Sequence, residues 1–302
     1  MKNKFLIPII ISGLSFSTIF VASLPIYKDN VKEDVRFTEW MKDISDSTKL
    51  EDMSIPGSHD SGALYSLADL SGRCQDLNIK SQLNIGIRYL DIRLKYEGNE
   101  NFKIIHGPVD QRITFDDVLS CCSSFLSAHP SETILLSLKD EQELEDESEF
   151  NKALEKVLSD YENQVYKDRK IPTNLGVSRG KMIILSRFID NTFGVDCFSG
   201  WKINDSSTLS NGIKTQDYFK VEDIEKKKEY FTILLNDTSS FLKLNFLSGY
   251  KLSSFPPSYS YSVSKELNPW VIEEVKGKSS LGVIIADSVT TDFTSAIIGG
   301  NK

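Results

Sequence analysis

The chain has 302 residues, of which 40% are hydrophobic and 26% charged. That is a globular composition, long enough to bury a large core without staples. Its 35 Lys and Arg stand against 43 Asp and Glu, a net charge of −8, which excludes a protein that tracks nucleic acid with a basic stripe or docks on anionic lipid by charge alone. Contact with a membrane must use apolar and aromatic side chains.

The first segment reads as a targeting signal. Lys2 and Lys4 precede residues 5–22, which carry no charge and are rich in Ile, Leu, Phe and Val. Val21, Ala22 and Ser23 then supply small or compact residues, so residues 1–23 are expected to be a signal peptide and the protein to be secreted. The apolar run is just long enough to span a bilayer, and an uncleaved N-terminal anchor is the alternative. Losing Lys2 and Lys4, with no acid, takes the net charge from −8 to −10. Residues 24–37 read as a polar leader, and 38–302 as one domain without repeats or low-complexity linkers.

From there short apolar runs alternate with amphipathic ones. Strands are expected at 53–55, 87–94, 102–105, 133–138, 182–186, 242–246 and 282–286, from their length and their Ile, Leu and Val content. Phe150, Ala153, Leu154, Val157, Leu158 and Tyr161 follow the spacing of one helix face. Thr114, followed by Asp116 and Asp117, reads as a helix N-cap. Further helices are expected at 221–236 and 262–277. Seven or eight strands in β/α alternation over about 260 residues point to an α/β fold of the (β/α)8 TIM-barrel type. The alternation also fits an open doubly wound sheet, but no glycine-rich phosphate fingerprint follows any strand.

Four cysteines follow the signal: Cys74, Cys121, Cys122 and Cys197. An even count permits disulfides in a secreted chain, yet four are too few for a disulfide scaffold. Cys121 and Cys122 are neighbours on a predicted helix and point in different directions, so at least one should be a core thiol. No C-x-x-C pair is present and the histidines number three, a poor supply for structural zinc.

Two of those histidines, His59 and His106, each end a predicted strand segment, where barrel enzymes place their chemistry. Imidazole titrates near neutrality, so such a pair can act as base and acid in one displacement. His129 stands at a helix end before Pro130 and reads as structural. Strand alternation puts Tyr89, Asp91 and Arg93 on one face. A buried Asp and Arg there must pair or hold a ligand, and a guanidinium suits a phosphate.

Taken in order, Ile55-Pro56-Gly57-Ser58-His59-Asp60-Ser61, then Gly86-Ile87-Arg88-Tyr89-Leu90-Asp91-Ile92-Arg93, then His106-Gly107-Pro108 resemble the X domain of phosphatidylinositol-specific phospholipases C, above all the small secreted bacterial enzymes. The resemblance runs on through Pro130-Ser131-Glu132-Thr133-Ile134, Leu136-Ser137-Leu138-Lys139, Arg179-Gly180-Lys181, Ser186-Arg187-Phe188, Gln216-Asp217 and Ile285-Ala286-Asp287, nearly the whole mature chain. It implies a distorted, partly open (β/α)8 barrel that cleaves phosphatidylinositol to diacylglycerol and a 1,2-cyclic inositol phosphate. By the same resemblance His59 is the general base, oriented by Asp287. His106 is the general acid, partnered by Asp60, and Arg93 with Asp91 holds the phosphate. Lys139, Arg187 and Asp217 bind inositol hydroxyls. Where the family stacks a tyrosine on the inositol ring, this chain has Phe219, preceded by Tyr218.

Calcium-dependent relatives place Asn after the first histidine and an acid where Arg93 stands. Asp60 and Arg93 therefore imply a metal-independent enzyme with no cofactor. A metal-dependent glycerophosphodiesterase or sphingomyelinase D-type barrel needs a cluster of acidic ligands, into which Arg93 fits badly. A non-catalytic secreted lipid-binding protein would be favoured by a broken acid–base set, and every position is filled. The expected partner is phosphatidylinositol in membranes, met peripherally by a monomer. The segment after strand 242–246 reads as a Ser- and Pro-rich loop, yet it carries Tyr250, Leu252, Phe255, Tyr259 and Tyr261. Such rings favour the headgroup level of a bilayer.

Overall fold

The computed structural model describes residues 31–66, 73–144, 147–189, 191–251 and 260–301. The signal segment, leader residues 24–30, Leu252, Phe255, Tyr259 and the Tyr261 side chain lie outside the described residues. After α1 (Val35–Thr38) come β1 (Ser54–Ser58), α2 (Ile79–Asn84), β2 (Tyr89–Tyr96), β3 (Phe102–His106), β4 (Val109–Thr114), α3 (Phe115–Ala128), β5 (Ile134–Asp140), α4 (Ser148–Ser159), β6 (Met182–Arg187), β7 (Val195–Asp196), β8 (Ser206–Thr208), β9 (Ile213–Gln216), α5 (Ile224–Leu235), β10 (Leu242–Phe246), α6 (Ser260–Glu274), β11 (Gly282–Ala286) and α7 (Thr291–Ile298).

The strands pair in the order β7-β6-β5-β2-β1-β11-β10-β9-β8. Every ladder from β7 to β9 is parallel, and β8 returns antiparallel on β9. The sheet is thus an eight-stranded parallel curl, the expected barrel, left open between β7 and β9 among the described residues. At that seam a side chain does the work of a ladder: Asn211 Nδ2 donates to Asp196 O.

Alternation sorts the apolar residues into two cores. Ile55, Tyr89, Leu135, Ile183, Leu185, Leu244, Phe246, Val283 and Ile285 fill the inside of the curl. Leu90, Ile92, Leu136, Ile184 and Ile284 face the helices. Tyr89, Asp91 and Arg93 therefore share the inner face, as their spacing predicts. Inside, Gly57 leaves no room for a side chain, since a Cβ there would lie 3.0 Å from Ile285 Cγ1 and Tyr89 Cβ. The predicted cap of α3 is a full capping box between Thr114 and Asp117. Cys122 is a buried core thiol, and all four cysteines are reduced.

One strand has a different place from the one its sequence implies. β3 is no barrel strand but pairs antiparallel with β2 and with β4. Residues 97–101 are too few for a parallel crossover, and Gly98, Asn99 and Glu100 turn the chain back with positive φ. His106 therefore reaches the site from a hairpin built on the C-terminal end of β2. The segment before α6 also differs, because the helix already begins at Ser260.

At the closed end of the barrel Arg88 ties the first helix to the sheet. Its Nε donates to Glu132 Oε2, and its terminal nitrogens donate to the carbonyls of Leu83, Ile87, Phe37 and Thr38. All five N–H groups are satisfied, and neither charged side chain is exposed. Glu132 in turn accepts from Met41 N and Ser131 Oγ. Removing one member of such a pair leaves a buried charge uncompensated. Glu132→Ala is expected to cost about 3–5 kcal/mol in urea unfolding, whereas a loss below about 1 kcal/mol would make the pair dispensable.

Candidate active site

The site lies at the C-terminal ends of the parallel strands, and register assembles it. β1 and β11 run side by side to Ser58 and Ala286, so the next residues, His59 and Asp287, meet. His59 Nδ1 donates to Asp287 Oδ1 at 2.7 Å. That fixes the tautomer and leaves Nε2 with its lone pair, on which Arg93 Nη2 donates at 2.8 Å. The buried amide of Gln75 holds both strand ends, its Nε2 donating to the carbonyls of His59 and Ala286. Phe246 sets its edge against the His59 ring, and Asn268 of α6 donates to Asp287 O.

A second row runs across three neighbouring strands. Arg93 on β2 pairs in register with Lys139 on β5, and Lys139 with Arg187 on β6. Three cations at one level would repel, and carboxylates interleave them. Arg93 lies 3.3 Å from Asp60, 3.6 Å from Asp91 and 3.2 Å from Glu141. Lys139 meets Glu141 at 2.9 Å. Arg187 lies 3.3 Å from Asp91 and 3.8 Å from Asp217.

Asp60 follows His59 with φ +43°, a conformation an L residue adopts at a cost. The turn is held by Ser61 N donating to Asp91 O and by Asp60 N donating to Asp91 Oδ2. The Asp60 carboxylate is thereby buried, with neither oxygen taking a hydrogen bond. Its neighbours are the charges of Arg93 and, at 3.5 Å, His106 Nε2. The other nitrogen of His106, Nδ1, lies 3.9 Å from Cys74 Sγ. The two histidine–carboxylate pairs thus flank one guanidinium.

The field of the site follows from these distances. Burial pushes the Asp60 carboxyl above its ordinary value, against the pull of Arg93 and His106. Burial acts the same way on Asp91, but Arg93 and Arg187 outweigh it and hold that group down at about 2. Arg93 and Lys139 do the same for Glu141, also to about 2. At His59 burial opposes the imidazolium, and Asp287 overcomes it, so the pKa stands above 6.5.

The remaining expected residues fall as follows. Trp201 lies over Arg187, 4.0 Å from guanidinium carbon to ring centroid, and its Nε1 donates to Asp217 Oδ2 at 3.2 Å. The Tyr218 ring stacks on Tyr230 at 3.8 Å, and its hydroxyl donates to Asp205. Phe219 tilts against Tyr250, centroids 6.0 Å apart. The indole of Trp201, rather than Phe219, is the ring seen on the Arg187–Asp217 pair. Trp201, Glu141, Gln75 and Phe246 escaped sequence reasoning as site residues. Only Glu141 left a signal, as an acid two positions beyond Lys139. His129 stands apart, packed on Phe125 and 3.5 Å from Glu39.

Among the described residues two trios could approach a metal ion, His59 with Cys74 and Asp287, and Asp60 with Cys74 and His106. Both consist mainly of the two histidine–carboxylate pairs, and the Arg93 charge beside Asp60 opposes a cation there.

The geometry itself makes a pH profile. If His59 serves as the base it must be neutral to accept a proton, and its pKa is raised. The acid limb of kcat/KM is therefore expected above pH 6.5, with activity lost as pH falls through it. Asp287→Asn should move the limb down and lower kcat. A limb that stays put in that variant would show that Asp287 does not set the charge of His59.

Comparison with known proteins finds relatives along most of the chain. Residues 48–188 match the family model for the phosphatidylinositol-specific phospholipase C X domain. The chain is 29% identical over 297 residues to the 1-phosphatidylinositol phosphodiesterase of Listeria monocytogenes, covering 93% of this chain and 90% of that protein. It is 28% identical over 299 residues to the protein of the same name from Staphylococcus aureus, covering 87% and 94%. The phosphatidylinositol-specific phospholipase C structure from Listeria monocytogenes superposes with a TM-score of 0.75 at 25% identity, over 88% of this chain and 99% of that one. A variant of the Staphylococcus aureus enzyme gives 0.76 at 26%, over 88% and 98%. Residues 48–188 of the chain carry the phosphatidylinositol-specific phospholipase C X domain.

Proposed function

We infer that this chain is a phosphatidylinositol-specific phospholipase C, which cleaves phosphatidylinositol to diacylglycerol and a 1,2-cyclic inositol phosphate by general acid–base catalysis. The observation that carries the reading is the pair of histidine–carboxylate couples on either side of Arg93. Displacement at phosphorus needs a base at the attacking oxygen, an acid at the leaving oxygen and a cation on the oxygens between. The substrate brings its own nucleophile, the inositol 2-hydroxyl next to the phosphate, so no water has to be positioned for the first step.

In this scheme His59 Nε2 takes the proton of the 2-hydroxyl while Asp287 steadies the imidazolium that forms. Arg93 exchanges its contact with His59 Nε2 for the phosphate oxygens. His106, with Asp60 behind its Nε2, gives its proton to the departing diacylglycerol oxygen. Lys139, Arg187 and Asp217 hold the inositol hydroxyls, and Trp201 keeps Arg187 and Asp217 in place. Arg93 supplies the charge that a divalent ion would otherwise bring, so the reaction needs no metal and no cofactor. The protein is secreted after loss of residues 1–23, works as a monomer at the bilayer surface, and uses Leu252, Phe255 and the tyrosines near them to reach its lipid.

His59→Ala and His106→Ala are each expected to lower kcat on phosphatidylinositol by about a hundredfold or more, the usual scale for a general acid or base, with unchanged circular dichroism. His129→Ala is the control and should keep activity. Near-wild-type turnover in either of the first two variants would refute the acid–base assignment. Turnover should also be indifferent to EDTA, and a requirement for added calcium would contradict the role given to Arg93. Leu252→Ala with Phe255→Ala should weaken vesicle binding at least about tenfold while sparing a soluble cyclic inositol phosphate. Equal loss on both would assign that loop to packing.

A further inference from the structure

The exposed large apolar side chains among the described residues are Val35, Val177, Phe198, Ile203 and Ile233. Three of them are remote from the mouth of the site. Val35 is in α1 and Val177 precedes β6, both at the closed end of the barrel, and Ile233 is on the outer helix α5. Phe198 and Ile203 are different. They belong to one turn, 46% and 80% exposed respectively, with Trp201 between them.

Topology fixes where this turn stands. β7 runs parallel to β6, with Ser186 opposite Asp196, so the chain leaves β7 at the level of Arg187, on the catalytic side. It re-enters the sheet at Ser206, which pairs with Gln216 at the C-terminal end of β9. Both anchors of the segment between them are on the catalytic rim. Its middle residue, Trp201, covers Arg187 and bonds Asp217.

The turn is also held in shape. Asp196 Oδ1 accepts from Phe198 N and Ser199 N. Trp201 N donates to Phe198 O, with Gly200 at φ +91° between them. Lys202 N donates to Ser207 Oγ, and Asn204 Oδ1 accepts from Lys220 N. Two large hydrocarbon side chains are thus presented to solvent on a fixed scaffold beside the inositol pocket. Ordering entropy has already been spent in folding, which favours an interface. The nearest exposed charge on the turn, Lys202, is balanced by Asp205, so the patch offers little net charge to a partner.

We propose that the turn at residues 198–203 is a bilayer-contact surface, with Phe198 and Ile203 entering the interfacial layer of the membrane that carries the substrate. The assignment rests on the phosphatidylinositol reading of the site: a substrate anchored by its acyl chains brings a lipid surface against this rim in every productive encounter. An acidic chain cannot rely on long-range charge for that approach, and apolar side chains at the rim meet the requirement. The contact is correspondingly insensitive to salt.

The test uses the full mature chain and Phe198→Ser with Ile203→Ser, both exposed positions where a polar residue disturbs folding little. Binding is measured by sedimentation with vesicles of phosphatidylcholine containing phosphatidylinositol, at low and at raised salt. Turnover is measured on soluble 1,2-cyclic inositol phosphate. The variant should bind at least about tenfold more weakly, the scale expected for burying two such side chains in part, at either salt concentration and with soluble turnover intact. Vesicle affinity within twofold of wild type overturns the proposal, and so does an equal loss on the soluble substrate. A wild-type chain inactive on both substrates would defeat the phosphodiesterase reading instead, and the vesicle comparison would still decide the surface.

Discussion

A guanidinium near the end of β2 has to be neutralised where water hardly reaches, and most of the site is arranged around that requirement. Arg93 is ringed by Asp60, Asp91 and Glu141 and donates to His59. Burial pushes the pKa of all three acids up, and at Asp60 it prevails. Asp91 and Glu141 are held down at about 2 because Arg93 acts on each together with a second Arg or Lys, Arg187 and Lys139 respectively, whereas Asp60 has Arg93 and two histidines. The result is one carboxyl whose pKa is raised by burial, beside His106, and two that act as counter-charges to the cations. In the proposed reaction an incoming phosphate would find a cation already aimed, with little reorganisation left for the moment of reaction.

That electrostatic arrangement depends in turn on strand register. A shift of one residue in β2 would turn Tyr89, Asp91 and Arg93 away from the inside and bring in Leu90 and Ile92. The pairing of Arg93 with Lys139 and of Lys139 with Arg187 is therefore protected by the same alternation that separates the two hydrophobic cores. The Arg88–Glu132 pair works from the other end of β2, fixing the strand to the first helix. The seam between β7 and β9 is crossed by the hydrogen bond from Asn211 Nδ2 to Asp196 O, on the side where Trp201 and its turn sit.

How much of this the sequence discloses follows from the reach of local patterns. β10 and β11 coincide with their predicted strands, residues 242–246 and 282–286: β11 is apolar on both faces, whereas β10 shows itself by alternation, with Leu242, Leu244 and Phe246 on the inner face and the buried Lys243 and Asn245 between them bonded to backbone carbonyls. β9 is barely visible, since Ile213 is its single strongly apolar residue, and β7 has two residues. The antiparallel turn of β3 was readable in the five-residue spacing, which apolar content alone does not weigh. At the site, His59, Arg93, His106 and Asp287 carry the resemblance because their neighbours in sequence are distinctive. Trp201 and Gln75 act through contacts with residues 14 or more positions away, and no local pattern marks such partners.

The central claim is that the substrate's own hydroxyl attacks phosphorus, with the two histidines as base and acid. Phosphorus NMR followed during cleavage of phosphatidylinositol tests it most directly. The account predicts that the first product signal is that of a five-membered cyclic phosphodiester, with any linear inositol phosphate appearing only as the cyclic signal declines. Linear inositol phosphate formed from the outset, without a cyclic precursor, would mean that water is the nucleophile and would contradict the account.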